Sequence, residues 1–229
     1  MFNKTSDIKE DMTLTDKAYH KIKDRILTAD LKPGQYISIN AMANNMSMSR
    51  TPVREAINKL EIEGLIKNYP NGGKGIVELS KKDVKEIFYL RIILEKAALN
   101  LSINNIPKEE LNELEERFNS VNIKSKKLSN EEKISLFELD KALHGLIVEY
   151  SYNNKLKNFI NMLNNQIEIA RGISAVRPGR LEKSLEEHKN ILNLLKEKKL
   201  KEAKEYLENH LKKIEKNVIE INDSIERYI

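Results

Sequence analysis

The 229-residue chain has no cysteine. That absence excludes disulfide frameworks, thiolate metal sites and cysteine nucleophiles together, and it agrees with a reducing cytoplasm. Long apolar runs are also lacking: no stretch approaches the roughly 18 residues of a membrane span. The opening MFNKTSDIKEDM carries charges where a signal peptide needs an apolar run. A cytoplasmic protein with no membrane partner is expected. Charge of one sign is not concentrated either. The net charge is +5, yet residues 1–80 hold 12 basic and 10 acidic side chains, so any nucleic-acid argument rests on local placement. No internal repeat or low-complexity tract stands out.

Glycine and proline punctuate the first third and then become sparse. Pro33-Gly34, and Pro70 with Gly72, Gly73 and Gly75, mark turns. The apolar spacing predicts helices over 13–30, 39–45 and 50–63, with Val53, Ala56, Ile57 and Leu60 on the buried side of the third. Pro52 suits its first turn and Gly64 its end. Two short strands, Leu65–Tyr69 and Gly75–Leu79, follow around the PNGGKG turn. Three helices and a hairpin is the order of a winged helix-turn-helix. From residue 80 the pattern is helical throughout, with segments expected at 81–103, 107–125, 130–149, 153–173, 178–197 and 200–226. The expected fold is therefore mainly α: a winged helix-turn-helix over 1–79 and an antiparallel all-helical bundle over 80–229.

In the segment Ser49-Arg50-Thr51-Pro52-Val53-Arg54 the two arginines are four apart, opposite the apolar side. A recognition helix presents its N-terminal residues to the major groove, where an arginine fork fits guanine O6 and N7. Ser49 and Thr51 are placed to reach phosphates. Gly73 and Lys74, at the glycine-rich tip, let backbone and ammonium approach DNA. Two solvated arginines on a surface helix are the plain alternative, and the flanking helix-turn and hairpin weigh against it. His20 is expected to face solvent without a role.

Only four histidines occur, and three lie on apolar stripes. Asp140 and His144 are one turn apart on a face with Leu136, Leu143 and Ile147. His188 is in step with Leu185, Ile191, Leu192 and Leu195, and His210 with Ala203, Leu207, Leu211 and Ile214. Burying these four is costly unless something pairs with all of them. One divalent metal ion per chain would do so, with zinc placed first and nickel, iron(II) or manganese also suited to such ligands. An Asp140–His144 hydrogen bond is the alternative for that pair, but it leaves His188 and His210 unexplained. Glu187 is expected to point off the ligand face. Arg91 is a candidate effector anchor, against the competing reading of an ion pair with Glu95.

SRTPVREAINKLEIEGLI closely resembles the recognition helix and following strand of the GntR family of bacterial transcription regulators. The second region resembles the all-helical FCD ligand-binding domain of the FadR subfamily, and six expected helices point to its shorter, VanR-like group. The resemblance implies a metal held by Asp140, His144, His188 and His210, a small organic-acid effector, a homodimer and a palindromic operator. Two positions depart from the family pattern: Asn40 stands where an arginine is common, and Gly72-Gly73-Lys74 replaces an arginine beside the wing glycine. The resulting expectation is a sequence-specific regulator, a repressor, and not an enzyme. A metal-dependent hydrolase with an accessory DNA-binding module is the competing reading, although no HExxH pattern occurs. Nonspecific DNA coating is a further alternative, disfavoured by the near-balanced charge of residues 1–80.

Overall fold

A computed structural model describes residues 12–70, 72–121 and 128–226. The opening segment, Asn71 and residues 122–127 lie outside the described residues; the helix expected over 107–125 ends at Ser120, because Val121 turns to extended backbone at φ −71° and ψ 114°. The chain forms two compact units, residues 1–78 and 79–229.

In the first unit the order is α1 (Leu14–Leu27), β1 (Tyr36–Ile37), α2 (Ile39–Met46), α3 (Arg50–Ile62), β2 (Ile66–Asn68) and β3 (Lys74–Ile76). α1 starts where the Thr13 side chain accepts from the Asp16 N–H. It ends three residues earlier than its periodicity suggests, because Ala29 adopts φ 60° and turns the chain away. α1 packs along α3, placing Ala18, Ile22 and Ile26 in one core with Val53, Ala56, Ile57 and Leu60. The strands form an antiparallel sheet of order β1-β3-β2.

Two features of this sheet differ from the sequence expectation. β1 was not foreseen, since two residues are too few to show an alternating pattern. Gly75 is not at the hairpin tip but inside the central strand, opposite Tyr36 and Lys67. A Cβ there would come within 2.6 Å of the Tyr69 ring and 2.8 Å of the Gln35 carbonyl oxygen. Close packing, rather than turn geometry, requires this glycine.

Among the described residues the second unit comprises six helices: α4 (Lys81–Ser102), α5 (Lys108–Ser120), α6 (Asn130–Glu149), α7 (Asn154–Ala175), α8 (Arg180–Lys196) and α9 (Leu200–Glu226). Capping boxes at Ser80/Asp83 and Ser129/Glu132 fix the starts of α4 and α6. α4 packs against α6, α7 and α9, while α8 packs against α5, α6 and α9. The inward faces of α4, α6, α8 and α9 thus meet in the middle of the bundle. Leu143, Ile147, Ile191, Leu207 and Leu211 surround that point and are almost fully buried.

Candidate metal centre and nucleic-acid interface

The 3.6-residue period that buries the aliphatic side chains also buries polar ones at the same depth. Asp140 and His144 project from α6, His188 from α8 and His210 from α9, each no more than 5% exposed. One potential ligand atom from each lies within 4.8 Å of all the others. His188 Nε2 is 3.1 Å from His210 Nε2 and 3.3 Å from Asp140 Oδ1, which is 3.9 Å from His144 Nε2. Donors about 2.0–2.1 Å from a shared ion in tetrahedral geometry stand roughly 3.3 Å apart. The group has the dimensions to hold a metal.

The bonds on the far sides of the imidazoles set which nitrogen faces inward. His144 Nδ1 lies 2.5 Å from Glu95 Oε2, and His210 Nδ1 lies 2.7 Å from Glu187 Oε2. Burial opposes ionisation of Glu95, but Arg91 and His144 outweigh it and hold its carboxyl well below the usual range. Glu187 is held low in the same way: burial raises it, and His210, Lys213 and Arg180 overcome that. An ionised carboxylate accepts only, so Nδ1–H donates, and in a neutral ring Nε2 is then the lone-pair nitrogen. Burial, reinforced by His188, pushes His210 down to about 3, and burial also lowers His188. His210 is therefore neutral near neutral pH, the form in which an imidazole can ligate a metal. Buried His144 Nε2 has no hydrogen-bond partner; a metal would instead take its lone pair.

Asp140 carries a permanent charge for a similar reason. Burial raises its pKa, yet Arg171, with Nη2 2.5 Å from Oδ2, overrides this together with His144 and His188, and the carboxyl lies well below the ordinary range. The supporting residues Glu95, Arg171, Glu187 and Arg180 were missed as a group in the sequence. Arg171 lies on the buried stripe of Ile167, Ala170 and Ser174, so the signal that exposed the histidines was present there too. Glu187 contributes no atom to the four-donor group, yet it is not idle: it returns to the site through α9 by way of His210.

Of the two sequence readings of Arg91, the ion pair with Glu95 is present. Its Nε donates to Glu95 Oε1 at 2.6 Å, while its buried Nη1 and Nη2 have no partner. Arg91, Arg171, Glu95 and His144 line a cavity of about 240 Å³. That is the scale of a small organic molecule with water.

The N-terminal candidates divide differently. Ser49 takes the N-cap backbone conformation of α3, but its side chain makes no capping bond. Ser49, Arg50, Thr51 and Arg54 are all exposed. Among the described residues neither arginine has a hydrogen-bond or ion-pair partner. Gly73 is half-buried, and Lys74 reaches back to Asn58 Oδ1 at 2.9 Å and to Glu61, both on α3. The Lys74 ammonium is therefore held by the recognition helix, a local pairing not evident in the sequence. His20 is exposed.

Residues 14–76 match the bacterial regulatory proteins of the gntR family, and residues 86–213 match the FCD domain. The chain belongs to the GntR family. It is 34% identical over 193 residues to the HTH-type transcriptional regulator YdhC of Bacillus subtilis, covering 84% of this chain and 85% of that one. The Nta operon transcriptional regulator of Aminobacter aminovorans is 29% identical, over 83% of this chain and 87% of its own. The HTH-type transcriptional repressor RspR of Escherichia coli is 24% identical, over 91% and 90%. In fold, the chain is similar to McbR/YncC of E. coli, with a TM-score of 0.69 and 23% identity over 93% of this chain and 99% of that one. It is a bacterial DNA-binding transcription regulator; its family and relatives are regulators, not enzymes. Among the described residues no helix is long and apolar enough to cross a membrane.

Proposed function

We propose that this GntR-family protein is a dimeric, metal-containing repressor. Its helical unit holds one divalent ion, zinc first, on Asp140, His144, His188 and His210, and takes a small carboxylate effector. The observation that carries this reading is the convergence of four buried donors, two of them imidazoles oriented by carboxylates. When bound, the metal supplies an electrophilic centre for an acid's oxygen atoms. Beside the site, the unsatisfied Nη groups of Arg91 and the partly unsatisfied Arg171 offer charge-assisted hydrogen bonds to a carboxylate. Their place on the cavity wall supports an anionic effector over a neutral one.

Homodimerisation is supported by α4, which leaves Tyr89, Leu90, Ile93 and Leu101 exposed along its outer side. Six helices among the described residues of the second unit support placement in the shorter, VanR-like group. Two recognition helices in a twofold dimer read a palindromic operator, with Ser49, Arg50, Thr51 and Arg54 at the groove. Gly73 and Lys74 form the wing contact, Lys74 exchanging Glu61 for a phosphate.

Fluorescence anisotropy on a palindromic DNA site from beside the encoding gene tests this reading. The dimer is expected to prefer that site over random DNA, and a matching organic acid is expected to change its affinity. Equal binding to random DNA, or an acid response that survives Arg91→Gln unchanged, would contradict it.

A further inference from the structure

One face of the helical unit borders the metal centre through Glu187 and Arg180 but holds no ligand in the reading above. Beside the start of α8, Arg177, Arg180, Lys183, Lys213 and Lys216 line a cleft of about 550 Å³. Among the described lining residues the carboxylates are Glu187 and Glu220. Glu220 pairs with Arg177 at 2.7 Å and lies 3.8 Å from Lys216. Glu187 accepts from Arg180 Nη2 and Lys213 Nζ, each at 2.9 Å. Positive charge exceeds negative on this wall, and Lys183 has no ion-pair partner among the described residues.

Arg180 adds a buried guanidinium to this wall. It is 6% exposed, and its buried Nε has no hydrogen-bond acceptor. A buried guanidinium N–H without an acceptor is destabilising. No side chain caps the N-terminus of α8, where Gly179 takes φ 73°, and a helix start adds positive potential. The ligand that complements this wall is acceptor-only and carries more than one negative charge.

We propose that this cleft binds a small, doubly charged tetrahedral oxyanion, free phosphate or a phosphate monoester, and that Glu187 couples its occupancy to His210. Glu187 Oε2 serves both Arg180 and His210. An anion that draws Arg180 and Lys213 toward itself leaves His210 as the principal donor to Glu187. That strengthens the bond holding His210 Nε2 toward the metal donors. Removing such an outer partner commonly changes metal affinity by about 10–100-fold, so a redistribution is expected to tighten it by about threefold to tenfold. The coupling rests on the metal reading; the anion site does not.

The test uses the full chain stripped of metal and titrated calorimetrically with sulfate, which leaves zinc in solution, and separately with glycerol phosphate. Saturable one-site binding is expected, weakened about tenfold in a Lys183→Ala/Lys216→Ala variant as two phosphate-facing charges are lost. Both positions are surface lysines, so circular dichroism is expected to show an unchanged fold. Binding of the monoester alone would support the cleft and identify the source as an organic phosphate. No saturable binding, or binding indifferent to the double variant, would overturn the site.

Zinc competition against a chromophoric chelator, with and without saturating sulfate, then reads the coupling. Tighter zinc binding in the wild type and no change in Glu187→Gln support it. An unchanged wild type overturns it. A wild type that takes up no zinc removes the metal reading and the coupling together, while the sulfate titration still decides the cleft.

Discussion

The two units place their charged chemistry in opposite settings. On α3 the functional candidates stand in water, and Arg50 and Arg54 cost the fold almost nothing. In the bundle, Asp140, His144, His188 and His210 are surrounded by aliphatic side chains and depend on Glu95, Arg171 and Glu187. An exposed site is nearly invisible to stability and is defined by its partner DNA. A buried polar site must be paired within the fold, so its purpose can be argued from desolvation alone.

The sharpest way to break this comparison is to remove one internal counter-charge. Glu95→Ala strands Arg91 and releases His144 Nδ1, and is expected to destabilise the protein by about 3–5 kcal/mol in urea unfolding. A loss below about 1 kcal/mol would mean that water already reaches the pair. At the exposed site the effect moves from stability to binding. Arg54→Ala is expected to weaken specific operator binding by about 1–3 kcal/mol while changing unfolding by less than about 0.5 kcal/mol. A large change in the melting transition would show that the arginine supports the fold instead.

Gly75→Ala sharpens the comparison within the N-terminal unit, where backbone packing is the constraint. Its methyl group meets the Tyr69 ring and the Gln35 carbonyl, with an expected cost of about 1–3 kcal/mol measured by thermal unfolding. Gly72→Ala at the turn would strain a φ of 81° but meet nothing within 4 Å, separating strain from clash. The smallest effect belongs to Lys74→Ala. Losing its half-exposed pairing with Glu61 changes stability by about 0–1 kcal/mol. If the wing touches phosphate, this variant also lowers the salt dependence of DNA binding by about one unit of slope.

Much of the fold was legible because local and tertiary signals coincide. The start of α6 at Asn130 is set by Ser129 and Glu132, and its inward face by the spacing of Leu136, Asp140, Leu143 and Ile147. The same spacing pointed to the four metal candidates. What the sequence hid was pairing across helices. Glu187 neighbours His188 in the chain but serves His210 on α9, and that link depends on how α8 and α9 meet. β1 escaped because it is stabilised by pairing with β3 rather than by its own two residues. The Lys74 pairing with Glu61 was not legible because it depends on where β3 lies against α3.

The most direct test of the central claim is elemental analysis of tag-free protein beside His144→Ala and His210→Ala variants. The account predicts about one equivalent of divalent metal in the wild type, lost in both variants, with the thermal transition of the wild type lowered by chelator. A folded wild type that holds no metal and takes up none when zinc, nickel, iron(II) or manganese is supplied would contradict it.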